Sequence, residues 1–207
     1  MKNLILIICA VALTGCALPL NKPSSYYVAR GEMNYKTGNL KKALKDFNTA
    51  VEKDNYNVEA YASRGSLLFD LQQYETALSD FNIVLQADPN RSEVHSAVGA
   101  TLAAQGKYKE SRESLLKALE LNPSNVEALC SLGGVYYSTG NYKAAVEEYT
   151  KAIKLRPAPQ IYFARAVAYN ANGKIKEAQA DFQAAGVEVV TVDEQAAQKT
   201  ETGKAVK

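Results

Sequence analysis

The feature that most constrains this chain is a motif that returns at a fixed interval. Gly31, Gly65, Gly99 and Gly133 follow one another at 34 residues, and Ala166 comes 33 after Gly133. The register divides the chain into copies 24–57, 58–91, 92–125, 126–158 and 159–187. A unit this short cannot enclose a core alone, so such copies must stack and share one. Within a copy the apolar spacing is helical. In the fourth, Leu129, Leu132, Gly133 and Tyr136 share one face, and Tyr142, Ala145, Tyr149 and Ala152 share another. Each copy therefore predicts two helices and a turn, and the chain predicts an all-α fold of about five such units.

The two predicted helices of a copy carry complementary sizes. A small residue stands at position 8 of each copy (Gly31, Gly65, Gly99, Gly133, Ala166) and a large one at position 24 (Phe47, Phe81, Leu115, Tyr149, Phe182). Small against large is how two helices interlock at interior packing density. Gly38, Gly106, Gly140 and Gly173 fall where the first helix ends, with Gln72 in that place in the second copy. Pro89, Pro123 and Pro157 stop the second helices. These residues resemble the tetratricopeptide-repeat (TPR) pattern from about residue 24 to residue 187. The resemblance implies a right-handed superhelix with a concave groove lined by the first helices, and a scaffold that binds proteins.

Two positions vary together. Arg30, Arg64 and Arg165 at position 7 accompany Asp46, Asp80 and Asp181 at position 23, always 16 residues later. Where Val98 or Leu132 replaces the arginine, Ser114 or Glu148 replaces the aspartate. The covariation predicts three structural ion pairs across the hairpins, a planar guanidinium meeting a carboxylate. Acid–base catalysis at these pairs is the weaker alternative, because neither partner has a companion group.

The resemblance also implies which first-helix positions face the groove. They include Val28, Glu32 and Tyr35, then Ser66, Phe69 and Asp70. Ala100 follows, with Cys130, Gly134, Tyr137, Phe163 and Val167. Aromatic rings near the ends and small residues between them suit an apolar anchor from a peptide or helix. The Lys and Asn clamp by which some TPR adaptors grip a C-terminal carboxylate is absent: the corresponding places hold Val28, Glu32, Ser63, Glu93 and Ala97. Glu59, Glu93 and Glu127 fall in the first turns, where they offset the helix dipole. His95 occupies a packing position, and Cys130 is expected to be a free thiol.

The ends of the chain read differently. Met1-Lys2-Asn3 and the apolar run 4–13 form a secretory signal, and Leu13-Thr14-Gly15-Cys16 resembles the bacterial lipobox. In that family the signal, here residues 1–15, is removed and the cysteine acylated, with palmitate among the lipids, so Cys16 and residues 17–23 would form an anchor and tether. The plainer alternative is a signal peptide in which Cys16 is incidental. Ala17, in place of an aspartate, favours the outer membrane, facing the periplasm. Residues 187–192 have strand-like alternation, and residues 188–207 read as a polar, disordered tail. No extra polar helix caps the fifth copy, so its end is expected to meet a partner, the tail or another copy of the chain.

Composition then narrows function. A net charge of +2 gives no reason to expect nucleic acid, and three cysteines with one histidine weigh against metal sites and Cys/His catalysis. No cofactor and no enzymatic activity are expected. The expected function is a membrane-anchored scaffold with protein partners, in assembly of a cell-envelope machine such as a type IV or related pilus. The alternative is an adaptor that organises peptidoglycan hydrolases or proteases. A cell-wall enzyme or periplasmic small-ligand binder is less supported, since neither a second domain nor a closed pocket is evident.

Overall fold

A computed structural model describes residues 22–187. Among them are ten α-helices and no strand. They are α1 (Ser24–Lys36), α2 (Leu40–Lys53), α3 (Val58–Asp70), α4 (Tyr74–Ala87) and α5 (Ser92–Ala104). Next come α6 (Tyr108–Leu121), α7 (Val126–Ser138), α8 (Tyr142–Leu155), α9 (Pro159–Ala171) and α10 (Ile175–Ala184). The expected strand-like segment and polar tail from residue 188 onward, and the signal and Cys16, lie outside the described residues.

Each odd helix forms a hairpin with the even helix after it, and the interlock is steric. A Cβ added to Gly133 would lie 2.7 Å from Cε1 of Tyr149, and one added to Gly31 would lie 2.5 Å from Cε1 of Phe47. Both distances are well inside van der Waals contact, so only glycine lets the ring lie flat on the opposite backbone. Phe47, Phe81 and Leu115 are fully or almost fully buried as a result.

The turns repeat one hydrogen-bonding scheme. Gly38 N–H donates to Tyr35 O at 2.9 Å and Asn39 N–H to Asn34 O at 2.8 Å, closing the helix end in a left-handed residue. The same geometry occurs at Gln72, whose φ is +60°, with Gln72 N–H on Phe69 O at 2.9 Å. The second helices end in an extended residue such as Asp88, Asn122 or Arg156. Each of these precedes a proline, which bars it from helical geometry.

The joints between hairpins contain a polar tie. Ser24 Oγ donates to Ala50 O at 2.8 Å, and Asn57 Nδ2 donates to Ser24 Oγ at 2.8 Å while Asn57 Oδ1 caps Ala60 N–H. Ser92, Ala118 and Asn125 repeat this arrangement two hairpins later.

Stacking sets the curvature. Each odd helix touches the next odd helix (α1 with α3, α5 with α7), whereas among the described residues no even helix touches another even helix. The odd helices therefore crowd the inner face and the even helices fan outward. This is an all-α TPR superhelix, and its concave wall is made of α1, α3, α5, α7 and α9.

Candidate functional site

The concave wall encloses a cavity of about 400 Å³ running across α1, α3, α5 and α7. Its floor is apolar or small: Phe69, Phe81, Ala97 and Ala100. Ser66, Ser96 and Ser131 add hydroxyls, and Tyr35 closes one side. A second cavity of about 280 Å³, lined by Ala100, Ala103, Ser131 and Gly134 among others, shares Ala100 and Ser131 with the first. Together they form a trough along which an extended or helical segment can lie.

The structure sorts the sequence-derived groove residues. Tyr35, Ser66, Phe69 and Ala100 line the main cavity, and Gly134 lines the second. Tyr35 donates its hydroxyl to Asp70 of the next repeat. Burial, reinforced by that carboxylate, pushes the Tyr35 phenol up to about 12. Glu32 is exposed and accepts from Ser63 Oγ at 3.3 Å. Tyr137 and Phe163 are open to solvent on one side and backed on the other, by Tyr142 at 5.4 Å and Phe182 at 5.5 Å between ring centroids.

Val28 requires a correction. It is only 8% exposed and packs with Ala50 and Ala60, so it belongs to the seam between the first two repeats and not to the groove surface. Position 5 points along the stacking axis as much as into the groove, and a branched apolar residue there is drawn into the joint. Cys130, at the same position, is half-buried against the fourth hairpin, and burial pushes its thiol up. Val167 is also half-buried. His95 is half-buried with Nε2 2.9 Å from Pro89 O.

The Arg and Asp residues meet across their hairpins. Arg64 Nε and Nη2 each donate to Asp80 at 2.8 Å, and Arg165 holds Asp181 through the same atoms at 2.6 and 2.8 Å. Arg30 donates two hydrogen bonds to Asp46, which also accepts from Asn34 at 2.9 Å. The Arg30 bonds, helped by Asn34 against the opposing effect of burial, hold the Asp46 carboxyl below its usual range. The spare Nη1 of Arg64 reaches back to Asn48 at 3.1 Å and that of Arg165 to Thr150 at 3.0 Å. Each arginine so placed clasps its own hairpin and the one before it.

Sequence reasoning missed the bridges on the groove's edge. Arg91 Nη1 lies 2.8 Å from Glu59 and its Nε 2.9 Å from Glu93, joining the starts of α3 and α5. Arg156 Nη2 lies 2.8 Å from Glu127. The backbone N–H of Glu93 itself, in the first turn of α5, and then Arg91 hold the Glu93 carboxyl below its ordinary range. A signal existed: each arginine lies near the end of a copy whose second residue is a glutamate, Glu59 for Arg91 and Glu127 for Arg156. Among the described residues no group of three or more metal-ligating side chains comes together.

The fold and groove define a helical-hairpin repeat protein of the class that presents a concave face to other proteins. The TPR repeat family matches residues 99–140 and 133–173, and the tetratricopeptide repeat family matches residues 28–92, together more than half of the chain. The chain belongs to the tetratricopeptide-repeat family. Among solved structures it is similar to the MamA protein, with a TM-score of 0.63 at 23% identity over 82% of this chain and 97% of that one. A thermophilic TPR protein of Thermus thermophilus superposes with a TM-score of 0.70 at 20% identity over 86% and 97% of the two chains. YrrB, described as a TPR protein with an unusual peptide-binding site, matches with a TM-score of 0.57 at 21% identity over 77% and 82%. No curated protein sequence matches the chain.

Proposed function

We infer that this chain is a lipid-anchored, non-enzymatic adaptor of the bacterial cell envelope. It holds a segment of a partner protein in its concave trough. The observation that carries the reading is the cavity of about 400 Å³ in which the rings of Tyr35 and Phe69 stand beside the small residues Ala97 and Ala100. Rigid rings beside open, small-walled space are what a peptide or helix anchor requires. The anchor itself is supported by the order of apolar run, Gly15 and Cys16. Among the described residues no helix is long and apolar enough to cross a membrane. Assembly of a type IV or related pilus is the machine this reading favours.

The test is in-cell crosslinking of the tagged full chain followed by mass spectrometry, beside the variant Tyr35→Ala/Phe69→Ala/Tyr137→Ala. Partners that disappear with the folded triple variant support the trough as the docking site. Partners that persist in it move binding to the convex face. Pilus components among them support the favoured machine, and peptidoglycan hydrolases or proteases support the alternative. Cys16→Ala is expected to move the protein out of the membrane fraction, and retention there would sink the anchor.

A further inference from the structure

The charge around the main cavity is one-sided. Asp70, Glu93 and Glu127 line it, and no lysine or arginine does. An adjoining cavity of about 280 Å³, which shares Glu93 and Glu127, is likewise lined by no cation. Nearby cations do not cancel this. Arg91 is one guanidinium divided between two carboxylates, Glu59 and Glu93, and that triplet keeps a negative charge. Arg156 offsets only Glu127. Asp70 is met by the hydroxyl of Tyr35, which is neutral. In the other direction along the trough the surroundings change: Ala103, Gly134 and Ser138 line the second cavity without any charged side chain.

A concave, apolar, acid-rimmed surface selects its occupant by complementarity. Carboxylates at a rim attract cations from a distance and penalise like charge, while the apolar floor rewards a side chain that leaves water. We propose that the trough takes a partner segment in which a bulky apolar side chain stands beside lysine or arginine. The apolar side chain enters over Phe69, Ala97 and Ala100, and the basic ones meet Asp70 and Glu93. The uncharged remainder of the segment continues past Gly134 and Ser138. This inference rests on the adaptor reading and adds to it the chemistry of the partner.

The test uses the full chain in detergent and three labelled peptides of equal length, read by fluorescence anisotropy. Their centres are Lys-Leu-Lys, Glu-Leu-Glu and Lys-Gly-Lys. The first is expected to bind about tenfold tighter than either of the others, and to weaken severalfold when salt is raised from about 50 to about 300 mM. Asp70→Asn/Glu93→Gln, with an unchanged melting temperature, is expected to remove most of the preference for lysine flanks. Equal or tighter binding of the Glu-Leu-Glu peptide overturns the proposal, as does failure of all three to bind. Should all three fail while crosslinked partners still vanish in the triple groove variant, the adaptor reading stands and only the basic–apolar partner falls. If those partners survive it as well, both fall together.

Discussion

Repeats one, two and five and repeats three and four build the same hairpin with different chemistry at the same two positions. In the first group an arginine and an aspartate close the hairpin, and Arg64 and Arg165 also catch the preceding even helix. Arg30, in the first described hairpin, lies over the rings of Tyr26 and Tyr27 at 5.5 and 5.1 Å. In the second group Val98 and Leu132 bury their side chains at 8% and 1% exposure and carry no polar group to reach back from this position. Repeat four keeps an acid without its arginine. Glu148 is buried, takes Lys151 on Oε1 at 2.7 Å, and leaves Oε2 with no hydrogen-bond partner. The steric interlock is common to both groups, since Gly99 and Gly133 approach Leu115 and Tyr149 as closely as Gly65 approaches Phe81. Shape makes the hairpin, and the clasp is a polar supplement that repeats three and four do without.

The sharpest way to break this comparison is to halve a clasp. Asp80→Ala strands Arg64, whose side chain is only 19% exposed, and should destabilise by about 3 kcal/mol in urea titrations. The double variant Arg64→Leu/Asp80→Leu converts repeat two to the apolar type and should lose about 1 kcal/mol or less. Equal losses for the single and the double variant would overturn the clasp as a unit. Gly133→Leu and Gly65→Leu test whether the interlock is independent of the clasp: each should cost about 2 kcal/mol by overpacking, in unclasped and clasped repeats alike.

The pH response separates the groups further. Asp46 has a folded pKa below its unfolded value near about 4, so its contribution is complete above that pH and vanishes as pH falls through the folded value. Arg30 is half exposed, so solvent screening keeps the effect to about 1 kcal/mol. The stability gap between wild type and Asp46→Asn should therefore narrow from pH 6 to pH 3 in thermal melts, and a constant gap would refute the assignment. The smallest effect is expected at Glu148→Leu. Removing the orphaned oxygen should raise stability by somewhat less than about 1 kcal/mol, after the loss of the Lys151 contact.

The hairpins, their interlock and their turns were legible because each depends on residues within one period. Gly133 and Tyr149 are 16 residues apart in the sequence and carry their sizes openly. The arginine and aspartate positions were legible for the same reason, since the two change together. What the sequence hid spans about a full period. Tyr35 with Asp70, Ser24 with Asn57 and Arg91 with Glu59 are separated by 35, 33 and 32 residues. Those meetings join the start of one hairpin to the start of the next or one first helix to another, so they depend on the rotation between hairpins. Val28 was misplaced for this reason: its position faces both the trough and the next repeat, and only the stacking angle decides between them.

The arrangement of contacts also has a mechanical consequence. Odd helices lean on one another along the inside, while among the described residues the even helices touch only their own hairpin partner and any helix that follows. Such a body resembles a coil spring whose turns are the hairpins and whose hinges are the joints between them. Small rotations at successive joints add up along its length, widening or narrowing the trough while each hairpin keeps its own packing. A bound segment spanning α3 to α7 would act as a splint across the joints it crosses, one of which Arg91 already ties.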